Sequence, residues 1–240
     1  MIRGLYTSLS GLIATMNRSA VVADDVANLN TTGYKASFTT QRDFGLVLED
    51  SLSGSTIGEL GTATTADGLT IDRSQGSLRE TGRSTDLAIE GDGLFTVRTS
   101  TGVAYTRDGT FVLGANGLLT TQAGDPVLDD QGRTITSATG ALTIGPNGTV
   151  GETGQKLGIV AWPTAGEVTR LGGNLLGLPG TPQTATGAKV HQGYLEQSNV
   201  DLGAAMTALI NVQRSMQLSA RALSLQDQTL AETAQLGRLR

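Results

Sequence analysis

The sequence predicts an α+β protein, with a long helix at each end paired in a coiled-coil-like layer and an all-β domain inserted between them. Three observations predict it. Apolar residues recur at alternating steps of three and four over both ends of the chain. Short β-like runs punctuated by Asp-Gly and Asn-Gly fill the middle. The five prolines, Pro126, Pro146, Pro163, Pro179 and Pro182, all lie in that middle. Proline breaks helix interiors, so only the two ends are free to form long helices.

The N-terminal seam runs Leu5, Leu9, Leu12, Met16, Ser19, Ala23 and Val26, a heptad-like stripe with one polar interruption. It is followed by Asn-Leu-Asn-Thr-Thr-Gly-Tyr-Lys, residues 28–35. Asn28 and Asn30 offer polar groups where helix carbonyls lose their partners, and Gly33 offers the left-handed conformation that ends a helix. Residues 36–84 are rich in Ser, Thr and Gly without a clear period, and read as an extended connector. From 85 to 180 the turn signals Asp92-Gly93, Asp108-Gly109, Asn116-Gly117 and Asn147-Gly148 predict hairpins in an all-β domain. A return linker over 181–197 leads to the last helix.

That helix is predicted from about Asn199 to about Leu236, with Ser198 and Asp201 forming a capping box before it. Its seam is Leu202, Met206, Leu209, Gln213, Met216, Ala220, Leu223, Asp227, Leu230 and Ala234, apolar except at Gln213 and Asp227. Residues 1–35 and 198–240 would then make one discontinuous helical domain. A lone helix with a narrow apolar seam is marginal in water, so the two ends need partners. Ile13, Val21, Ile210, Val212, Leu218 and Leu225 lie off these seams. Apolar residues on several faces point to packing on further copies or other chains.

Composition excludes several classes. Hydrophobic residues at 38% and charged residues at 16% fit a folded protein. The net charge of -5, with no basic cluster, argues against nucleic acid. The absence of cysteine removes disulfides, thiolate zinc sites and cysteine nucleophiles. No stretch of eighteen or more apolar residues predicts a bilayer span. Thr7, Ser8, Ser10 and Thr15 interrupt any signal-peptide core.

Candidate chemistry is thin. His191 is the only histidine, and no Gly-x-Ser-x-Gly elbow accompanies it. It reads as a surface or packing residue. The Asp-Gly pairs and Asp129-Asp130 lack the ligand series of a calcium loop and read as hairpin turns. No phosphate loop or complete dinucleotide fingerprint is present. Asp24 and Asp25 are adjacent on a helix and point about 100° apart, as a solvated edge or a contact to a neighbour. Trp162 and the few other aromatics make no stacking platform. No catalytic, cofactor or metal residues are predicted.

Three stretches carry a family resemblance. The first is Leu5–Lys35, with Ala27, Asn28, Thr31, Gly33, Tyr34 and Lys35 in its signature. The second is the pair of β-segments Asp86–Val97 and Ala104–Leu128. The third is Gly193–Leu230, with Glu196, Ser198, Asn199, Val200, Gln213 and Arg214. In this order they resemble the bacterial flagellar basal-body rod and hook proteins. A single β-domain in 240 residues is similar to the distal rod member or its proximal-rod paralogue rather than to the longer hook protein. The chain departs from the pattern at Asp24-Asp25, where many members carry an Asn pair, and at Ala36, where a basic residue often follows the lysine.

The resemblance implies a structural subunit that polymerises helically into the drive shaft from motor to hook. It implies an interior tube of terminal helices, with assembly contacts along Leu5, Leu9, Leu12, Met16, Val26, Leu202, Met206, Leu209, Met216, Leu223 and Leu230. Implied partners are further copies, other rod and hook proteins and the flagellar type III export apparatus. The implied location is the basal body outside the cytoplasmic membrane, without nucleic acid and without direct membrane insertion. A secreted β-rich adhesin with dimerising helices is the alternative.

Overall fold

A computed structural model of the chain describes residues 2–43, 64–137, 142–151, 153–163 and 168–237. It is a mixed α+β fold of two compact units. One contains residues 1–27, 37–70 and 201–240, and the other contains 28–36 and 71–200.

The first unit holds helix α1 (Ile2–Ala27) and helix α2 (Leu202–Gly237). It also holds β1 (Ser37–Asp43) and most of β2 (Thr64–Ile71), which pair as a two-stranded ribbon. α1 lies against both α2 and β1. The N-terminus of α2 starts three residues later than the sequence predicts. Asp201 itself is the cap, its Oδ1 accepting from the N–H groups of Gly203 (2.8 Å) and Ala204 (3.1 Å). Ser198 instead accepts from Val200 N–H at 3.3 Å, so the expected capping box does not form.

Small residues are prominent among those that the helices withdraw from water. Ala14 and Val212 are buried, and Leu12, Thr15, Ser19, Val22, Val26, Ala205, Ala208, Leu209, Ser215, Met216, Ser219 and Leu223 are half-buried. Larger side chains lie outside: Leu9, Ile13, Met16, Leu202, Met206, Ile210, Leu218 and Leu225 are all exposed. The adjacent acids separate as helix geometry requires. Asp24 is exposed, whereas Asp25 is buried and accepts from Ser37 N–H at 3.2 and 3.3 Å. Asp25 is therefore not part of a solvated edge.

The second unit is built on strands. They are β3 (Leu78–Glu80), β4 (Leu87–Glu90), β5 (Leu94–Thr99), β6 (Gly102–Thr106), β7 (Phe111–Leu113), β8 (Leu119–Thr121), β9 (Ile159–Val160), β10 (Thr169–Gly172), β11 (Leu175–Gly177), β12 (Lys189–Gln192) and β13 (Tyr194–Glu196). An antiparallel five-stranded sheet has the order β10-β11-β6-β5-β9. Three antiparallel pairs, β12-β4, β13-β3 and β7-β8, complete it. Strands thus occur in the span read as a connector and in the span read as a return linker. Residues 44–63 of that connector lie outside the described residues.

Both faces of the five-stranded sheet are covered. Side chains alternate along a strand, so one strand can feed two cores. Phe95 and Val97 of β5 and Ala104 of β6 enter a large cluster with Leu87, Ile89 and Phe111. Leu94 and Tyr105 enter a second with Ile71, Trp162 and Leu176. Phe95 and Phe111 meet edge to face at 5.1 Å, the favoured aromatic geometry.

The turn signals divide by chemistry. Asn116-Gly117 closes the β7-β8 hairpin with Gly117 at φ 68°, and Asn147-Gly148 closes a bridge between Ile144 and Val150. Asp92-Gly93 and Asp108-Gly109 do not close hairpins. Each joins strands that are not partners: β4 to β5, and β6 to β7.

Candidate functional site

The family-signature residues converge in the strand unit on one buried ion cluster. Lys35 follows the tight turn of 28–34, Arg107 follows β6, and Glu196 ends β13. All three are at most 3% exposed. Lys35 Nζ donates to Glu196 Oε1 at 2.7 Å, and Arg107 Nε donates to Glu196 Oε2. Gly76 N–H also donates to Oε1 at 2.9 Å. The carboxylate therefore receives three donors, which is how a buried charge becomes tolerable.

Two cations face one carboxylate, and backbone carbonyls take up the excess positive charge. Lys35 donates to Ser74 O at 2.7 Å. Arg107 donates to Ile89 O (2.8 Å), Gly91 O (2.7 Å) and Gly93 O. This explains Gly91-Asp92-Gly93 better than a hairpin does. The bend turns its carbonyls onto one guanidinium, and a Cβ at Gly93 would come within 2.7 Å of the Ile159 side chain. Burial pushes the Lys35 ammonium pKa below its ordinary value. The charge and hydrogen bond of Glu196 oppose that, and Arg107 adds to it.

The signature turn is seated by its own polar groups. Thr31 bonds Asn28 through its N–H and its hydroxyl, both at 3.1 Å. Thr32 Oγ1 donates to Asp108 Oδ1 at 2.7 Å. Gly33 N–H donates to Glu196 O at 2.8 Å. Gly33 does adopt φ 66°, but α1 has already ended at Ala27. Its glycine is required by close approach instead: a Cβ there would lie 2.4 Å from the Arg107 carbonyl carbon and 2.5 Å from Asp108 N. Asn199 Oδ1 accepts from Ala36 N–H at 2.7 Å, while its amide donates to Ser74 O at 3.1 Å.

Thus Thr31, Gly33, Tyr34, Lys35, Glu196 and Asn199 come together or lie directly beside the cluster. Asn28 braces the turn, and Ala27 marks the end of α1. Ser198 and Val200 bond one another beyond β13. Among the seam residues, Leu12, Val26, Leu209, Met216 and Leu223 are half-buried, and Leu9, Met16, Leu202 and Met206 are exposed. The side chains of Leu5 and Leu230 lie outside the described part. Sequence reasoning missed Arg107, Ser74, Gly76, Arg170 and Asn174. Arg107 carries the one available signal, a charged residue directly after an apolar β-run.

His191 sits elsewhere, on β12. Its Nε2 is 2.7 Å from Glu90 Oε2 at the surface, and this hydrogen bond, with Lys189 beside it, holds the Glu90 carboxyl below the usual range. Asp129 turns the Asp-Asp-Gln-Gly segment by accepting from Gln131 N–H (2.9 Å) and Arg133 N–H (2.7 Å). That is an Asx-type turn.

Lys35, Arg107 and Glu196 are each engaged by other parts of the same chain, and the cluster braces the signature turn. Comparison with known sequences gives the chain's family. Residues 5–35 match the model described as flagella basal body rod protein. Residues 88–151 match that of the flagellar hook protein FlgE/F/G D1 domain, and 191–236 that of the flagellar basal body rod FlgEFG protein C-terminal. The chain is 33% identical to the flagellar basal-body rod protein FlgG of Bacillus subtilis, over 99% of this chain and 100% of that one. It is 35% identical to FlgF of Caulobacter vibrioides over 92% of each, and 34% identical to FlgG of Agrobacterium fabrum over 94% and 96%. The chain belongs to the flagellar basal-body rod protein family. It is a structural rod subunit of flagellar motility, assembling with other rod and hook components, and not an enzyme.

Proposed function

We propose that this subunit polymerises helically into the rod and transmits torque from motor to hook. α1 and α2 pair in a coiled-coil-like manner and join the helices of other copies in an inner layer. Contacts between copies run along Leu9, Leu12, Met16, Val26, Leu202, Met206, Leu209, Met216 and Leu223, with Leu5 and Leu230 toward the chain ends. A heterologous contact that does not close on itself grows a filament.

One observation carries the reading. Large apolar side chains stand in water on both helices, with Ile13 51%, Met206 49%, Ile210 50% and Leu218 66% exposed. Contiguous exposed apolar surface marks an interaction site. By likeness to the relatives named rod proteins, the chain leaves the cytoplasm through the flagellar type III apparatus and resides in the cell envelope outside the inner membrane. FlgG and FlgF relatives match similarly, so distal and proximal rod positions are both compatible with the family assignment.

The test is cross-linking mass spectrometry on purified hook–basal bodies, with single cysteines placed at Met206 and Leu218 in a chain that has none. The expected result is cross-links from both positions to other copies and to a second axial protein, whose identity fixes the rod position. Intact basal bodies that contain the chain but yield no cross-link from either position to another chain would overturn the helical-layer reading.

A further inference from the structure

The turn of 32–35 has a second support that comes from none of the stretches recognised as the family's own. Those span 5–35, 88–151 and 191–236. The β10-β11 hairpin lies between the last two. Its two-residue turn is Gly173-Asn174, both at positive φ (57° and 61°), the requirement of a tight hairpin that follows strand twist. The register shifts between Arg170 and Gly172. Such irregularities re-aim side chains at a sheet edge.

Two side chains of this hairpin reach the signature. The Arg170 guanidinium lies 4.5 Å from the centre of the Tyr34 ring, within cation–π range, and Arg170 Nη2 donates to Lys35 O. Asn174 Nδ2 donates to Thr32 O at 2.7 Å. The hairpin is anchored in turn, because Thr106 Oγ1 donates to Asn174 O at 3.0 Å and β11 pairs with β6. Tyr34 and Lys35 are each 3% exposed beneath it. The same turn is thus bonded to Asp108 and Glu196 by the family stretches, and held by Arg170 and Asn174 from this hairpin.

We propose that the β10-β11 hairpin is a strap that fixes residues 32–35, with Arg170 and Asn174 as positioning residues for the signature turn and for the Lys35 ammonium beneath it. The inference goes beyond the rod reading and does not depend on polymerisation. It separates two kinds of opening. Releasing the Arg170 and Asn174 contacts exposes Lys35 without unfolding the strand cores, because neither residue contributes to those clusters, whereas Leu175 and Leu176 keep β11 on them.

The test uses the full chain and its three lysines, Lys35, Lys156 and Lys189. The last two are exposed and serve as internal references. Amine acylation under native conditions is followed by peptide mass spectrometry, alongside amide exchange. In Arg170→Ala the Lys35 rate is expected to rise about tenfold, reading the free energy of local opening. Asn174→Gly keeps the positive-φ turn and removes only the amide, and is expected to raise the rate by about threefold. Lys156 and Lys189 rates, and exchange of the Leu87–Glu90 and Leu94–Thr99 amides, stay unchanged. Unchanged Lys35 labelling in Asn174→Gly and Arg170→Ala overturns the strap. So does a rise matched by faster exchange throughout those strands, since that is global unfolding. If Arg170→Ala does not fold, Asn174→Gly decides alone.

Discussion

Phe95 and Leu218 are both large apolar residues, and they have opposite fates. Phe95 is wholly buried, edge to face on Phe111, in a core that uses both faces of its sheet. Leu218 is two-thirds exposed on α2, in a unit whose helices withdraw many small side chains and leave larger ones outside. The strand unit completes its core within one chain. The helical unit leaves large apolar side chains exposed among its described residues. On the function proposed above, folding stability and assembly are drawn from different residues, and substitutions can separate them.

The sharpest break comes from truncating one residue of each kind. Phe95→Ala should cost about 3–5 kcal/mol in the isolated chain, by lost transfer energy and a residual cavity. Urea denaturation measures it. A cost below about 1 kcal/mol would mean that the strand core collapses freely around the gap.

Next is the ion cluster. Glu196→Gln leaves two buried cations without a counter-charge and should destabilise by about 3–5 kcal/mol. Lys35→Met leaves the Arg107–Glu196 pair intact, and should cost about 1–3 kcal/mol. It should also change the pH profile. The folded pKa of Lys35 is lowered, so above it the unfolded chain binds more protons and stability rises with pH toward 10.5. Lys35→Met should flatten that rise in chemical denaturation across alkaline pH.

A smaller effect is expected at Asp129. Burial raises its carboxyl pKa, but hydrogen bonds from the Arg133 N–H and guanidinium and the Gln131 N–H outweigh that and hold it below the usual range. Its stabilisation is present above the ordinary carboxylate pKa and is lost as pH falls through the lowered folded value. Asp129→Asn should remove part of the acid-side slope, seen in thermal melts over about pH 2–5. An identical slope in the variant would assign acid sensitivity to other carboxylates.

The smallest effect on folding sharpens the comparison most. Leu218→Ala should change the stability of the isolated chain by less than about 0.5 kcal/mol, as for an exposed position. The same variant should reduce swimming and rod completion in cells. Normal motility would remove Leu218 from the assembly surface.

How much of this was legible in the sequence follows from distance along the chain. α1 and α2 announced themselves through local periodicity and absent proline, which depend on neighbours three and four residues away. Asn-Gly announced true turns because Gly117 and Gly148 take positive φ there, at 68° and 75°. Asp-Gly misled, because Asp92-Gly93 is shaped to turn carbonyls onto Arg107 and Asp108-Gly109 is pressed against β4. A Cβ on Gly109 would come within 1.6 Å of Leu87 O. Resemblance marked Lys35 and Glu196, but nothing local joined residues 161 positions apart. Arg107 acts through its guanidinium, Ser74 through its carbonyl oxygen and Asn174 through its side-chain amide, single contacts that leave no periodic trace. The seam residues were legible as apolar, but not as buried or exposed: Leu12, Leu209, Met216 and Leu223 are half-buried while Leu9, Met16, Leu202 and Met206 are exposed, a division that periodicity alone does not carry.

Trp162 is the only tryptophan of the chain, and it sits in the second strand core with the Arg73 guanidinium 5.7 Å from its ring. Indole emission on denaturation will report that core, while the 222 nm ellipticity, about the wavelength at which helices dominate, will report α1 and α2. The molecule thus carries two optical signals that fall on different units. Whether their transitions coincide in a titration tests directly whether the chain unfolds in one step or two.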